Sequence, residues 1–175
     1  QEVIIASSEN EARSFLNGVY FNAQDKLDIV ATDSHRLALK TLPYKGDFKV
    51  IVPRRAIAEV IRLSDDEVSM DFTDTQAMFS FGNTELHTRL LEGQFPDYNQ
   101  IIPTGFKTMI KADTNKLKSA LERVALFTGD FNYSVKLSIG DDLTISVNSE
   151  IGSVEEKVDC LVEGKPLEIS FNVNY

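Results

Sequence analysis

One residue pattern occurs twice in this chain, and it constrains the architecture before any single residue is interpreted. The first copy opens on the apolar run Lys49-Val-Ile-Val-Pro53 and continues through residues 54–63, where Ile57, Val60 and Ile61 recur at helical spacing. Three alternating stretches follow at 68–72, 77–81 and 85–91, closing on Glu92-Gly93. The second copy opens on Thr108-Met-Ile-Lys-Ala112, and its helical stretch carries Leu117, Ala120, Leu121 and Val124. Its alternating stretches lie at 135–139, 143–147 and 154–162, closing on Glu163-Gly164. Each copy therefore spells strand, helix, strand, strand, strand.

The flanks fit the same pattern in part. Strand-like runs at 16–21, 27–31 and 36–42 precede the first full copy, with residues 3–6 as the tail of a helix before them. After the second copy, Leu167-Glu-Ile-Ser-Phe171 reads as the leading strand of another repeat. We therefore expect an interior stretch of a longer protein. Segment 96–106, with Pro96, Pro103 and Gly105, is the expected linker, and it divides the chain into domains at 1–103 and 104–175.

The strands alternate with period two, so one face of each sheet is buried and the other is more polar. Gly140-Asp141-Asp142 supplies a tight turn between two such strands, and Thr73-Asp74-Thr75-Gln76 does the same in the first copy. One three-turn helix per copy covers only one side of a sheet. The expected fold class is α+β, with antiparallel sheets and helices on one face.

A chain of 175 residues, 42% of them hydrophobic, is long enough to bury a real core. Its apolar runs are too short to span a bilayer. The single cysteine, Cys160, alternates with Val158 and Val162 and reads as a small buried hydrophobe; no disulfide is possible within the chain. The absence of paired cysteines fits a reducing cytosol. The net charge of −9 argues against a protein that coats nucleic acid electrostatically.

The two helices depart from that acidic average. On the first, Arg55 and Arg62 lie opposite the apolar stripe with Glu59, and Arg54 flanks them. On the second, Asp113 or Thr114 can cap the start, and Lys116, Lys118 and Arg123 flank the inward residues. An ordinary solvated helix face accounts for such residues; a locally basic surface on an acidic protein is the sharper alternative. Leu126 falls opposite the stripe beside Phe127, a pair suited to contact with another chain.

The densest polar cluster, Thr32-Asp33-Ser34-His35-Arg36, does not read as a catalytic site. A nucleophile, its base and an orienting acid must converge through the fold, whereas immediate neighbours diverge. His87 has no obvious partner, and two histidines with one cysteine are too few for a metal site. Asp65-Asp66-Glu67 and Asp141-Asp142 sit where turns are expected. No glycine-rich phosphate loop is present. Neither an enzyme nor a metal or other cofactor is expected. The Thr32 cluster reads better as a turn that forms the rim of a binding site. If segment 92–98, Glu-Gly-Gln-Phe-Pro-Asp-Tyr, folds back beside it, an apolar groove with polar edges results, suited to a short extended peptide.

Four motifs in order carry a family resemblance: Ala31-Thr-Asp-Ser-His-Arg-Leu-Ala38, Ile51-Val-Pro-Arg54, Leu91-Glu-Gly-Gln-Phe-Pro-Asp-Tyr98 and Glu168-Ile-Ser-Phe-Asn172. Across essentially the whole chain the sequence resembles the bacterial sliding clamp, the beta subunit of DNA polymerase III. The resemblance implies the DNA clamp fold, with residues 1–103 as most of a middle domain and 104–175 as the first half of a C-terminal domain. It implies a non-catalytic, cytoplasmic processivity factor whose homodimer closes head to tail around duplex DNA, with sheets outside and helices lining the hole. Basic helices would then meet phosphates loosely while an acidic exterior repels DNA.

Residue by residue, the resemblance implies DNA-facing roles for Arg13, Phe15, Arg54, Arg55, Arg62, Lys116, Lys118 and Arg123. It implies a pocket for linear motifs of the polymerase III alpha subunit, the clamp loader and other replication and repair proteins. The pocket positions are Leu16, Thr32, Ser34, His35, Arg36, Leu37, Pro96, Gln100, Ile101, Phe131, Asn172 and Tyr175. Some relatives have glycine where Ser34 stands and a basic residue where Gln100 stands. The family's extreme C-terminal segment, one wall of that pocket, has no counterpart among these residues. Leu126 and Phe127 match subunit-interface positions. An unrelated α+β peptide-binding or scaffold domain is the competing expectation.

Overall fold

A computed structural model describes residues 2–9, 13–64, 67–129, 133–150 and 152–175. The chain forms two compact units, Gln1–Tyr98 and Asn99–Tyr175. The division lies inside the Pro- and Gly-bearing segment, a few residues ahead of the expected 103/104 break, because Tyr98 packs into the first unit.

In the first unit, β1 (Gly18–Ala23), β2 (Leu27–Thr32), β3 (Leu37–Leu42) and β4 (Phe48–Pro53) form an antiparallel sheet ordered β3-β2-β1-β4. Helix α1 (Arg54–Leu63) follows, and β5 (Ser69–Phe72), β6 (Gln76–Phe81) and β7 (Thr84–Arg89) make a three-stranded sheet. Val19, Phe21 and Ala23 of β1, Val52 of β4, Ala56 and Val60 of α1, and Ala77, Phe79 and Phe81 of β6 share one core. The helix therefore covers one face, as the period-two pattern requires.

The second unit begins with a single helical turn, α2 (Tyr98–Ile101), shared with the end of the first. It continues through β8 (Thr108–Ala112), α3 (Thr114–Ala125), β9 (Ser134–Ile139), β10 (Leu143–Ser149), β11 (Gly152–Val158), β12 (Cys160–Gly164) and β13 (Leu167–Asn172). Strands β11-β10-β9-β13 form one sheet and β12-β8 a two-stranded ladder. Ala120 and Val124 of α3 bury against Val135, Ile139, Leu143, Ile145, Val147 and Val158. Asp113 is the N-cap of α3, its Oδ1 accepting from the Lys116 amide at 2.9 Å.

The repeat is also visible in the pairing. Strand β4 leads the first copy, yet it pairs with β1 of the preceding triplet, from Gly18↔Pro53 to Ala23↔Phe48. Strand β13 pairs with β9 in the same way, from Leu167↔Ile139 to Asn172↔Ser134. Each copy also closes on its own leading strand. In the first, the Leu91 amide donates to the Ile51 carbonyl at 2.8 Å; in the second, β12 pairs with β8 from Cys160↔Ala112 to Gly164↔Thr108. Gly164 ends that ladder at φ +110°, and a Cβ there would stand 2.2 Å from the Lys107 carbonyl oxygen.

Several expectations are corrected. The run at 16–21 starts as a strand only at Gly18, opposite Pro53, because Arg54 already opens α1; the Arg54 amide still donates to the Asn17 carbonyl at 2.9 Å. Leu16 belongs instead to a 3-10 turn, Ser14–Leu16, and residues 4–6 form a second such turn. The run at 154–162 is two strands in different sheets, broken at Asp159. The alternation of Val154, Glu156, Val158, Cys160 and Val162 continues unbroken across that switch of partners, so periodicity alone could not reveal it. On α1, Ala56 rather than Ile61 joins Val60 as a fully buried residue, since a small side chain lets helix and sheet approach closely. The expected acidic turn at Asp65-Asp66 lies outside the described residues.

Candidate functional site

Strand β2 reads Leu-Asp-Ile-Val-Ala-Thr and is buried along nearly its whole length, on both faces. Leu27, Ile29 and Ala31 face the helix-side core. The register pairs Tyr20 with Val30 and Asn22 with Asp28 on one side, and Thr32 with Leu37, Val30 with Leu39 and Asp28 with Thr41 on the other. Directly paired residues share a face. Tyr20, Asn22, Asp28, Val30, Thr32, Leu37, Leu39 and Thr41 therefore define the face away from α1.

Segment 92–98 covers part of that face. Phe95 is buried and stacks on Tyr20 with ring centroids 4.7 Å apart and an interplanar angle of 11°. Tyr98 is buried edge-on to the same Tyr20 at 6.3 Å, and its hydroxyl donates to Asp28 Oδ2 at 2.9 Å. Asn22 Nδ2 donates to the Tyr98 oxygen at 3.0 Å, and Thr41 Oγ1 donates to Asp28 Oδ1 at 2.6 Å. Lys26 Nζ stands 3.3 Å from Asp28 Oδ1. Burial works against the Asp28 charge, but hydrogen bonds from Thr41, Tyr98 and Lys26 outweigh it and hold the carboxyl below its ordinary value. Burial also raises the Tyr20 phenol.

The Thr32–Arg36 turn is organised by its own side chains. Asp33 Oδ1 accepts from the His35 and Arg36 amides at 2.9 and 3.0 Å, and Asp33 Oδ2 accepts from Arg36 Nε at 3.1 Å. Burial opposes the Asp33 charge, yet these amides and the guanidinium prevail and lower its pKa. Thr32 Oγ1 donates to the Arg36 carbonyl at 2.7 Å. Ser34 occupies the left-handed region at φ 79°, a conformation glycine adopts freely. The turn leaves Ser34 and His35 exposed and Arg36 and Leu37 half-buried.

The structure thus brings six expected pocket residues, Thr32, Ser34, His35, Arg36, Leu37 and Pro96, to one sheet face or to the turn and segment bordering it. Leu16 is fully buried beneath the Ser14–Leu16 turn. Gln100, Ile101, Asn172 and Tyr175 belong to the second unit and are exposed there. Asn172 ends β13, and its carbonyl accepts from the Tyr175 amide at 3.1 Å. Phe131 lies outside the described residues. A groove of about 720 Å³ along β4, lined by Tyr20, Lys49, Phe72, Asp74 and Phe95 among others, includes none of the expected pocket positions. Leu39, Phe95, Tyr98 and Asp28 went unnamed as site residues. The signal for them was the apolar run Ile29-Val-Ala31 of β2, which departs from alternation and demands a cover on its second face.

The candidate DNA-facing cations are mostly paired. Arg54 meets Glu9 at 2.9 Å, Arg62 meets Glu59 at 2.6 Å, Lys116 meets Asp159 at 3.3 Å and Lys118 meets Glu122 at 3.9 Å. Arg123 Nε donates to Glu156 Oε1 at 2.6 Å, which lowers the Glu156 pKa. Arg55 is exposed and has no ion pair among the described residues. Each long helix still carries three basic side chains against one acidic. Arg13 reaches the Thr32–Arg36 turn, its Nη1 donating to Ser34 Oγ at 3.0 Å, and half-buried Phe15 lies against Gly93. Leu126 is 76% exposed at the end of α3, while Phe127 packs against the core of its own unit.

Comparison with known proteins returns one family. A family model for the DNA polymerase III beta subunit, central domain, matches residues 1–97, and one for its C-terminal domain matches 99–175. The beta sliding clamp of Synechococcus elongatus is 35% identical over 98% of this chain and 50% of its own length. That of Streptococcus pneumoniae is 38% identical over 99% and 49%. Among solved structures, the beta subunit of Streptococcus pyogenes aligns with a TM-score of 0.92 at 33% identity, over 99% of this chain and 50% of its own. The Bartonella birtlesii sliding clamp bound to griselimycin aligns at 0.90 and 33% identity, with the same coverage. The chain spans about half the length of the curated relatives it matches.

Proposed function

The chain belongs to the DNA polymerase III beta-subunit family, the beta sliding clamps, and from that premise we propose that it is part of a non-catalytic processivity factor. The intact protein encircles duplex DNA as a homodimer in the cytoplasm and tethers the polymerase through a peptide-binding pocket. Residues 1–98 supply most of its middle domain and residues 99–175 the first half of its C-terminal domain. The observation that carries this reading is the ordered match of two successive clamp domains across the chain.

A ring retains DNA by topology, so its lining needs only weak, sequence-independent phosphate contact. The helix faces suit that task. Their excess of basic residues attracts phosphate, while intramolecular acidic partners blunt the attraction and leave the duplex free to slide. Arg54, Arg55, Arg62, Lys116, Lys118 and Arg123 form this lining, with Arg13 and Phe15 contributing from their turn. Leu126, projecting from α3, meets the partner subunit beside Phe127.

The pocket takes linear motifs of the alpha subunit, the clamp loader and repair proteins. The half supplied by the first unit is the apolar face bearing Leu37 and Leu39, edged by the Thr32 turn and Pro96. Griselimycin, bound by the Bartonella birtlesii relative, competes for the same pocket on this reading.

Two experiments test the proposal. The intact subunit, loaded by its clamp loader, remains on nicked circular DNA and leaves once the circle is linearised. Equal retention on both templates would refute the ring. A fluorescein-labelled peptide carrying the alpha subunit's linear motif binds the intact subunit and loses affinity on Leu37→Ala or Pro96→Ala. Unchanged affinity in both variants would place the pocket elsewhere.

A further inference from the structure

Two buried aromatic residues bracket Pro96 and Asp97. Phe95 is fixed by stacking on Tyr20, which constrains the segment at one end only. At the other end Tyr98 is 4% exposed, and its hydroxyl is held from two strands at once. It donates to Asp28 Oδ2 on β2 and accepts from Asn22 Nδ2 on β1. Asp28, itself 4% exposed, is kept in place by Thr41 on β3. Two adjacent strands therefore converge on one phenolic oxygen seventy or more residues away in sequence, and a third supports it through Asp28.

We propose that Tyr98, held by Asp28 and Asn22, is a positioning residue for the partner-peptide site, fixing where Pro96 stands relative to the sheet face bearing Leu37. This inference rests on the pocket reading given above. The physical reason is entropic. A loop anchored at one end must be ordered when a ligand arrives, and ordering a residue's backbone opposes binding by about tenfold in affinity. With both ends pinned, the Phe95–Tyr98 segment is already in its bound arrangement. The proline between them, with its φ fixed by the ring, transmits the anchoring directly to the contact surface.

The test is a double-mutant cycle on the intact subunit, read with the fluorescein-labelled alpha-subunit peptide. Tyr98→Phe keeps the ring and removes only the hydroxyl, and it should weaken the peptide about tenfold. In a Pro96→Ala background the same change should weaken it less than about twofold, because the positioned group is gone. Amide exchange should quicken at Asp97 and Tyr98 while β1 and β2 keep their protection, which a general loss of stability would not produce. A full tenfold loss in both backgrounds, or an unchanged affinity of Tyr98→Phe where Pro96→Ala alone is weakened, would overturn the positioning role. Unaltered affinity in both Pro96→Ala and Leu37→Ala would instead remove the pocket reading, and this inference with it, whereas an unaltered Pro96→Ala beside a weakened Leu37→Ala would overturn the positioning role alone.

Discussion

Replacing Asp28 by Asn changes one oxygen to an amide nitrogen and removes a charge. The carboxylate accepts from Thr41 at 2.6 Å and from Tyr98 at 2.9 Å, on different oxygens. Asn keeps one acceptor, so one hydroxyl now faces a donor and its bond is lost, while the other weakens from charge-assisted to neutral. A hydrogen bond to a charged group contributes about 1.5–3 kcal/mol and a neutral one about 1 kcal/mol. The relief of no longer burying a charge offsets part of that loss. The exposed Lys26 side chain adds little. The expected net destabilisation of Asp28→Asn near neutral pH is about 2 kcal/mol, measured by urea denaturation followed by far-UV circular dichroism. The pH dependence carries the stronger test. The folded-state pKa of Asp28 lies below its ordinary value of 3.8. Its contribution is therefore complete above that value and is lost as pH falls through the depressed one. The gap between wild type and variant should hold from neutrality to mild acid and then close below the ordinary value. A gap under about 0.5 kcal/mol near neutrality, or one that persists or widens in acid, would refute the assignment of Asp28 as an ionised hub.

Two further substitutions probe backbone geometry. At Ser34, φ 79° predicts the stability order Gly at least equal to Ser, with Val lower than Ser by at least about 1 kcal/mol; a Val variant as stable as wild type in thermal melts would contradict it. Gly164→Ala should destabilise more than Gly82→Ala. Both positions have positive φ, but a Cβ at residue 164 collides with the Lys107 carbonyl while one at residue 82 meets nothing within 4 Å. The Gly82 change should cost about 1 kcal/mol, and equal urea midpoints for the two variants would defeat the comparison.

Elements with strong local periodicity were legible from the sequence. Leu143, Ile145 and Val147 alternate and are buried as they predict, and the Gly140–Asp142 turn pairs Ile139 with Leu143. The Asp33-centred turn was likewise legible, because its hydrogen bonds are local. Partner choice was not. Val158 and Cys160 continue one alternation although their strands belong to different sheets, and no side-chain period encodes which backbone lies alongside. The same limit hid the Asp28–Tyr98 bond and the acidic partners of Lys116 and Arg123, which come from β11 and the residue following it. Such pairs are set by how distant segments pack, and only the double-sided apolar character of β2 hinted at one of them.

The hand-over of β4 to β1 and of β13 to β9 limits how this chain can be edited. At these two places a repeat's opening strand borders the triplet before it, like overlapping roof tiles, whereas β8 pairs with β12 of its own copy, so a cut just ahead of β4 or β13 separates a sheet from its edge strand. Removing residues 49–107 would take away the strand that borders β1, and the replacement arriving in its place would be Thr108–Ala112, the equivalent strand of the next copy. Loss of that whole repeat therefore offers β1 an equivalent neighbour, whereas a deletion that takes both β4 and Thr108–Ala112 leaves the β1 edge bare.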